Sequence, residues 1–138
     1  MADGRKIVVL GANSFSGQDF VDLLLDSPND QVIGISRSVE RSELFLKYRL
    51  RLERRNYHYH QLDLNHDFEE LLELLDTERP EYIVNFAAQS EVAPSWEHPD
   101  HWFQTNTVAL ARLVNHLARQ NYLQRYLQIG RASCRERV

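Results

Sequence analysis

The apolar run Ile7-Val8-Val9-Leu10 breaks at Gly11, and the chain soon resumes as the amphipathic run Phe20-Val21-Asp22-Leu23-Leu24-Leu25. Between the two lies Gly11-Ala12-Asn13-Ser14-Phe15-Ser16-Gly17. A strand, a tight glycine-bearing turn and a helix start, in that order, form a cradle for a dinucleotide diphosphate. The helix start offers unpaired backbone N–H groups and the positive end of the helix dipole. Glycines let the backbone approach a phosphate with no Cβ in the way. The same spacing also fits a plain strand–helix turn, with Gly11 at a positive φ and Gly17 where the helix packs closely.

The rest of the chain repeats this alternation. Strands are predicted at Lys6–Leu10, Gln31–Ile35, Tyr57–Gln61, Tyr82–Phe86 and Arg125–Gln128, with helical patterns between them. The first helix is predicted from Ser16 to Asp26, burying Phe20, Val21, Leu24 and Leu25, and Ser27-Pro28-Asn29-Asp30 ends it. A second is predicted near Ser42–Leu52, with Leu44, Phe45, Tyr48 and Leu52 on one face. Phe68, Leu71, Leu72 and Leu75 mark a third, stopped at Arg79-Pro80. A fourth runs from His101 to Gln120, with Asn106, Leu110, Leu113, Val114 and Leu117 on one side. Strands alternating with helices predict an α/β fold, a Rossmann-type doubly wound parallel sheet in three layers that stops after about its fifth strand.

Composition narrows the function. A length of 138 residues suffices for one domain with a real core, and 43% hydrophobic with 26% charged residues is ordinary for a globular protein. A net charge of −4 argues against a general nucleic-acid or anionic-membrane binder. No apolar run is long enough to span a bilayer. Met1 to Lys6 lead straight into a strand, without a signal-peptide apolar region. The single cysteine, Cys134, has no internal disulfide partner, which fits a cytoplasmic setting. His58 and His60 share one strand face, but no further ligands complete a metal shell at telling spacing.

Several positions carry chemistry. Arg37 lies about twenty residues past Gly17, at the end of the second strand, where an NAD enzyme places an Asp or Glu on the adenosine ribose. A guanidinium pairs with a 2′-phosphate that a carboxylate would repel, so Ser36-Arg37 favours NADP, with NAD as the alternative. A surface arginine at a strand end also fits, and Glu40 is the competing acidic candidate. The other basic residues from Arg41 to Arg55 read as a solvated helix face. Asp63 follows the third strand, where its carboxylate either accepts from an adenine amino group, with Leu64 on the base, or closes an Asx turn. The small residues of Asn85-Phe86-Ala87-Ala88-Gln89-Ser90 either leave room for a ligand at the carboxyl edge of the sheet or pack tightly. Asn106 is either an active-site support or a satisfied core amide.

Taken in order, these residues resemble the N-terminal part of the extended short-chain dehydrogenase/reductase family, the NAD(P)-dependent nucleotide-sugar epimerases and dehydratases. The matching elements are the Gly11-to-Gly17 turn, Asp63-Leu64, the Asn85-to-Ser90 block, Ser95-Trp96-Glu97-His98-Pro99, and Thr105-Asn106. The block from Asn85 through Asn106 is most similar to sugar-nucleotide 4,6-dehydratases acting on dTDP-glucose or GDP-mannose. One departure is Ser14, which stands where the family usually has its middle glycine. The resemblance implies that Gly11, Ser14, Phe15 and Gly17 line the pyrophosphate, that Arg37 meets the ribose or its phosphate, and that Asp63 and Leu64 touch adenine. Ala87, Ala88 and Ser90 then border the nicotinamide half and the substrate, and Asn106 supports the site. It also implies a nucleotide-sugar substrate and a homo-oligomeric full-length parent. Such a dehydratase oxidises the sugar at C4 by hydride transfer, eliminates water across C5 and C6, and returns the hydride to C6.

The family's Tyr-x-x-x-Lys pair occurs nowhere in the chain, so no catalytic residue is assigned and the fragment itself is expected to be inactive. Ser133 lies near the place of the family's catalytic hydroxyl, in unfamiliar surroundings. Residues 129–138 read as a non-native tail, the translation of a sequencing adapter, which leaves 1–128 as an incomplete NAD(P)-binding domain. Two other readings remain: a non-catalytic dinucleotide-binding or redox-sensing module, and an NADP-dependent carbonyl reductase.

Overall fold

A computed structural model describes residues 4–48, 56–87 and 97–129. Five strands form one sheet: β1 (Lys6–Leu10), β2 (Gln31–Ser36), β3 (Tyr57–Gln61), β4 (Tyr82–Asn85) and β5 (Arg125–Gln128). Their spatial order is β3-β2-β1-β4-β5, and every neighbouring pair is parallel. Leu10 pairs with Ile35 on one side and Asn85 on the other, Ser36 with Gln61, and Asn85 with Gln128. This register brings all the carboxyl ends to one edge. The order reverses direction between β1 and β4, the switch point where open α/β sheets bind ligands.

Two apolar layers sandwich the sheet, as the Rossmann-type reading expects. On one side Val8, Leu10, Ile33, Ile35 and Ile83 pack against helix α2 (Phe68–Glu78) and the later helix α4 (Ala109–Leu117). On the other, Val9 and Val32 pack against helix α1 (Phe15–Leu24) and the segment holding Leu46 and Tyr48. Burial of each such side chain contributes roughly 1.5–3 kcal/mol. The middle strands β1 and β2 are therefore buried on both faces, which is why their sequences are nearly continuous apolar runs. Edge strand β3 instead alternates, turning Tyr57 and Tyr59 to the α1 side.

The predicted helix at Ser42–Leu52 is corrected within the described residues. Only a 3₁₀ turn forms (Glu43–Phe45), and Leu44 and Phe45 lie exposed. Leu46 and Tyr48 turn inward, and Tyr48 is held there because its ring packs edge-on to Tyr57 at 4.9 Å and its hydroxyl donates to Glu40 Oε1 at 2.6 Å. The rest of that prediction, from 49 on, lies outside the described residues. The fourth predicted helix is interrupted. Helix α3 (Pro99–Phe103) runs through a π-helical turn (Gln104–Val108) into α4. That wider turn shifts the helical register. Ala109, Leu113 and Leu117 are buried, whereas Val114 is exposed. Helix α2 stops where Arg79-Pro80 predicted. Arg79 sits at φ 50 and its amide closes onto Leu75 O at 2.8 Å.

No described helix is long and apolar enough to cross a membrane. Among the described residues no group of three or more His, Cys, Asp or Glu is placed to hold a metal ion.

Candidate functional site

The carboxyl edge of the sheet opens into a cleft of about 250 Å3. Its base is the turn after β1. Gly11 has φ +78, and a Cβ there would lie 2.6 Å from Ala87 N and 2.8 Å from Phe86 C. The turn thus rests directly on the chain leaving β4. A Cβ on Gly17 would strike Gly11 O and come within 2.7 Å of Ser14 Oγ, so α1 can start this close to β1 only with glycine there.

Ser14 is the N-cap of α1, and its Oγ accepts from Gly17 N at 3.0 Å. The serine at the middle-glycine place therefore has a local structural role, while its O–H remains a donor beside the cleft. Ser14 N and Gln18 N are used within the turn and helix, donating to Gly11 O and Ser14 O. Among the described residues the amides of Phe15 and Ser16 in the first turn have no such bond, which leaves N–H groups at the positive end of the helix.

The second wall is the chain after β2. Ser36, Arg37, Ser38 and Arg41 line it. Asn13, between the two glycines, ties this wall to the turn. Its amide donates to Ser36 Oγ at 2.9 Å, and its side-chain Nδ2 lies 2.8 Å from Ser38 Oγ, 2.8 Å from Val39 O and 2.9 Å from the Tyr59 hydroxyl. Tyr59 donates in turn to Ser38 O at 2.5 Å, and Gln61 Nε2 donates to Arg37 O at 3.1 Å. Burial raises the Tyr48, Tyr57 and Tyr59 phenols above their ordinary value, so all three stay protonated donors at neutral pH.

The far end is built by the chain after β3. Asp63 Oδ1 accepts from the amides of Asn65 at 2.7 Å and His66 at 3.4 Å, an Asx turn, while Asp63 and Leu64 line the cleft. Asn65 Nδ2 donates to Thr105 Oγ1 at 2.8 Å, which brings the π-helical turn to the same cleft. At the end of β4, Asn85 Oδ1 accepts from Ala87 N at 2.8 Å, and its Nδ2 reaches the Tyr126 hydroxyl and Gln128 Oε1.

The cleft thus brings together Gly11, Ser14, Arg37, Asp63, Leu64 and Ala87 of the predicted residues. Gly17 supports it from beneath. Phe15 points to solvent, 76% exposed, with Lys47 Nζ 3.5 Å above its ring. Ala88 and Ser90 lie outside the described residues, and Asn106 falls in the π-helical turn with its side chain outside the description. Sequence reasoning missed Asn13, Ser38, Arg41, Asn65 and Thr105. Arg41 had been read as part of a solvated basic face. Only its distance past β2 marked it, and that signal is shared by its neighbours.

Glycine cradle, open helix amides and two arginines along one wall together suit a phosphorylated, dinucleotide-sized anion. The sequence profile of the GDP-mannose 4,6 dehydratase family matches residues 8–136. The chain belongs to this family. It is accordingly a member of the extended short-chain dehydrogenase/reductases, with the nucleotide-sugar epimerases and dehydratases. No curated protein sequence matches it.

Solved structures share the dehydratase-family fold. An epimerase from Methanothermobacter thermautotrophicus superposes with a TM-score of 0.74 at 20% identity, over 91% of this chain and 35% of that one. UDP-glucose 4-epimerase of Thermotoga maritima, solved with UDP-glucose, gives 0.70 at 25% identity, over 89% and 37%. UDP-glucuronic acid 4-epimerase of Bacillus cereus, in complex with UDP-glucuronic acid and NAD, gives 0.74 at 20% identity, over 93% and 40%. The chain therefore spans between a third and two fifths of the length of these structures.

Proposed function

We propose that this chain is the NAD(P)-binding part of a nucleotide-sugar 4,6-dehydratase or epimerase. The observation that carries the reading is the meeting of the Gly11–Gly17 cradle with Arg37 and Arg41 in one cleft at the switch point of the sheet. The open amides of α1 and the Ser14 hydroxyl hold the diphosphate. Asp63 and Leu64 border the adenine, leaving the outward carboxylate oxygen of Asp63 for the base. Ala87 and Ala88 flank the nicotinamide half, with Ser90 toward the sugar and Asn106 as support. When bound, the dinucleotide supplies hydride transfer at the sugar. This chain's residues fix its position and orientation. The related Bacillus cereus enzyme was solved with NAD and the Thermotoga maritima enzyme with UDP-glucose, which supports a nicotinamide dinucleotide and a nucleotide sugar as the ligand classes.

NADP is preferred over NAD because Arg37 and Arg41 both line the cleft wall after β2, where either guanidinium is able to reach a 2′-phosphate. The one acidic candidate there, Glu40, has its Oε1 engaged by the Tyr48 hydroxyl. Turnover belongs to a full-length cytoplasmic, homo-oligomeric parent, because these 138 residues contain no Tyr-x-x-x-Lys. The division into a domain at 1–128 and a foreign tail at 129–138 is part of the same proposal, and the DNA sequence beyond codon 128 tests it. Fluorescence titration of NADPH against NADH, on this chain and on the parent, tests the cofactor. Tighter NADPH binding is expected, and binding of neither overturns the reading.

A further inference from the structure

We infer that Asn13 is a positioning residue for 2′-phosphate selectivity, holding the Arg37–Arg41 segment in the shape that presents its two guanidiniums to the cleft. The inference rests on the NADP reading above and adds a residue that contacts neither arginine.

Asn13 is only 7% exposed, although it sits in a turn at the mouth of a cleft. Its Nδ2 has two hydrogens and four acceptors around it: Ser38 Oγ, Val39 O and the Tyr59 hydroxyl within 2.9 Å, and Ser38 O at 3.5 Å. Its Oδ1 is buried with no hydrogen-bond partner among the described residues. A buried acceptor without a donor is destabilising. The side chain therefore sits where its donors are wanted, at the expense of its acceptor, which is the pattern expected of a position chosen for a site rather than for stability.

Its targets, Ser38 and Val39, are two of the three residues between Arg37 and Arg41. Ser38 and Val39 follow Arg37 and precede Arg41, so fixing their backbone fixes the direction in which both arginine side chains leave the chain. The Asn13 amide adds a second tie through Ser36 Oγ at the end of β2. The phosphate-facing turn after β1 and the ribose-facing wall after β2 are in this way one hydrogen-bonded unit. Preorganised charges bind a phosphate better than charges that must first be ordered. A ligand without the 2′-phosphate uses the cradle and gains nothing from the arginines' placement. Loss of the Asn13 side chain must then fall on NADPH and spare NADH.

The test is a fluorescence titration of the full 138-residue chain with NADPH and with NADH, for the wild type, Asn13→Ala and Tyr59→Phe. Tyr59→Phe removes a hydroxyl that both accepts from Asn13 and donates to Ser38, without touching the cleft. The expected result is a roughly tenfold weaker Kd for NADPH in Asn13→Ala, with NADH within twofold, and a smaller shift in the same direction for Tyr59→Phe. Equal weakening of both ligands, or no change in either, overturns the inference while leaving the cofactor reading intact. A wild-type chain that binds neither ligand, or prefers NADH, overturns the reading and the inference together. If Asn13→Ala shows no cooperative melting transition, the ratio measured for Tyr59→Phe decides alone.

Discussion

The two flanks of the sheet, on either side of β1, are built differently. On the β2–β3 flank β2 is buried on both faces, β3 packs Tyr57 and Tyr59 on one face, and the carboxyl edge is locked by Asn13, Tyr59 and the Tyr48–Glu40 pair. On the β4–β5 flank the inner strand is buried through Ile83 and Val84, Asn85 reaches Tyr126 and Gln128, and the edge strand β5 leaves Leu127 at 45% exposure. No described strand pairs with the outer side of β5. The lesson is that the order of this fold is concentrated where the phosphates and the ribose are proposed to lie. On the opposite flank the exposed apolar residues are Leu127 of the edge strand and Ile129 just past it.

The largest expected effect breaks the ordered flank at its root. Gly17→Val places a branched side chain against Gly11 O, which costs roughly 3 kcal/mol. It should abolish measurable NADPH binding and lower Tm by about 10 °C in a thermal melt. A Gly17→Val chain that binds NADPH normally would remove the cradle from the argument.

Next, Arg37→Ala combined with Arg41→Ala should weaken NADPH roughly 100-fold and NADH less than threefold, given about 1.5–3 kcal/mol per charged hydrogen bond. Fluorescence titration reads both. Equal loss for the two ligands would make the pair a general anion attractor instead of a 2′-phosphate clamp.

A smaller effect sharpens the comparison at the amino end of the strands. Arg5 holds the Asp30 carboxylate through its guanidinium and its backbone amide at 2.9 Å, and Asp30 is almost fully buried. The Arg5 side-chain hydrogen bonds, against the opposing effect of burial, keep the Asp30 carboxyl below its ordinary value. The folded state takes up this proton less readily than the unfolded chain does. The contribution is thus complete above the unfolded value near ~4 and is lost as pH falls through the lower folded value. Asp30→Asn should lower Tm by about 3–8 °C at pH 7 and by progressively less below pH 4, in melts run across pH.

The smallest effect belongs to the other flank. Leu127→Lys should move Tm by less than about 2 °C, because that side chain is already half in water. It should reduce concentration-dependent light scattering, since a charge on an edge strand opposes edge-to-edge association. A large loss of stability would show that the β5 flank is packed as tightly as the β2 flank.

Much of this was legible in the sequence, for identifiable reasons. β1, β3 and β5 have the predicted bounds because apolar or alternating runs meet turn residues sharply at their ends. β2 runs one residue further, through Ser36, because Gln61 on β3 is there to pair with it. β4 stops at Asn85, one residue short of Phe86, whose amide still reaches Leu10 O. The run after Arg41 has helical spacing but no apolar face to meet, so it makes a short turn with Leu44 and Phe45 in solvent. Val114 is exposed because it sits at the border of the apolar stripe of α4, one step round the helix from buried Leu113. In the cleft, Gly11, Ser14 and Arg37 were readable since their distances from a strand end are fixed by local geometry. Thr105 was not, because only the topology brings it to Asn65, 40 residues earlier in the chain.

The contact of Gly11 with the backbone of Phe86 and Ala87 has a mechanical consequence. With no side chain between them, the turn leaving β1 and the strand end of β4 have no cushion to absorb relative motion. A pull on either segment is a pull on both, so an event felt past β4 is communicated to the amino end of α1 without any intervening hinge.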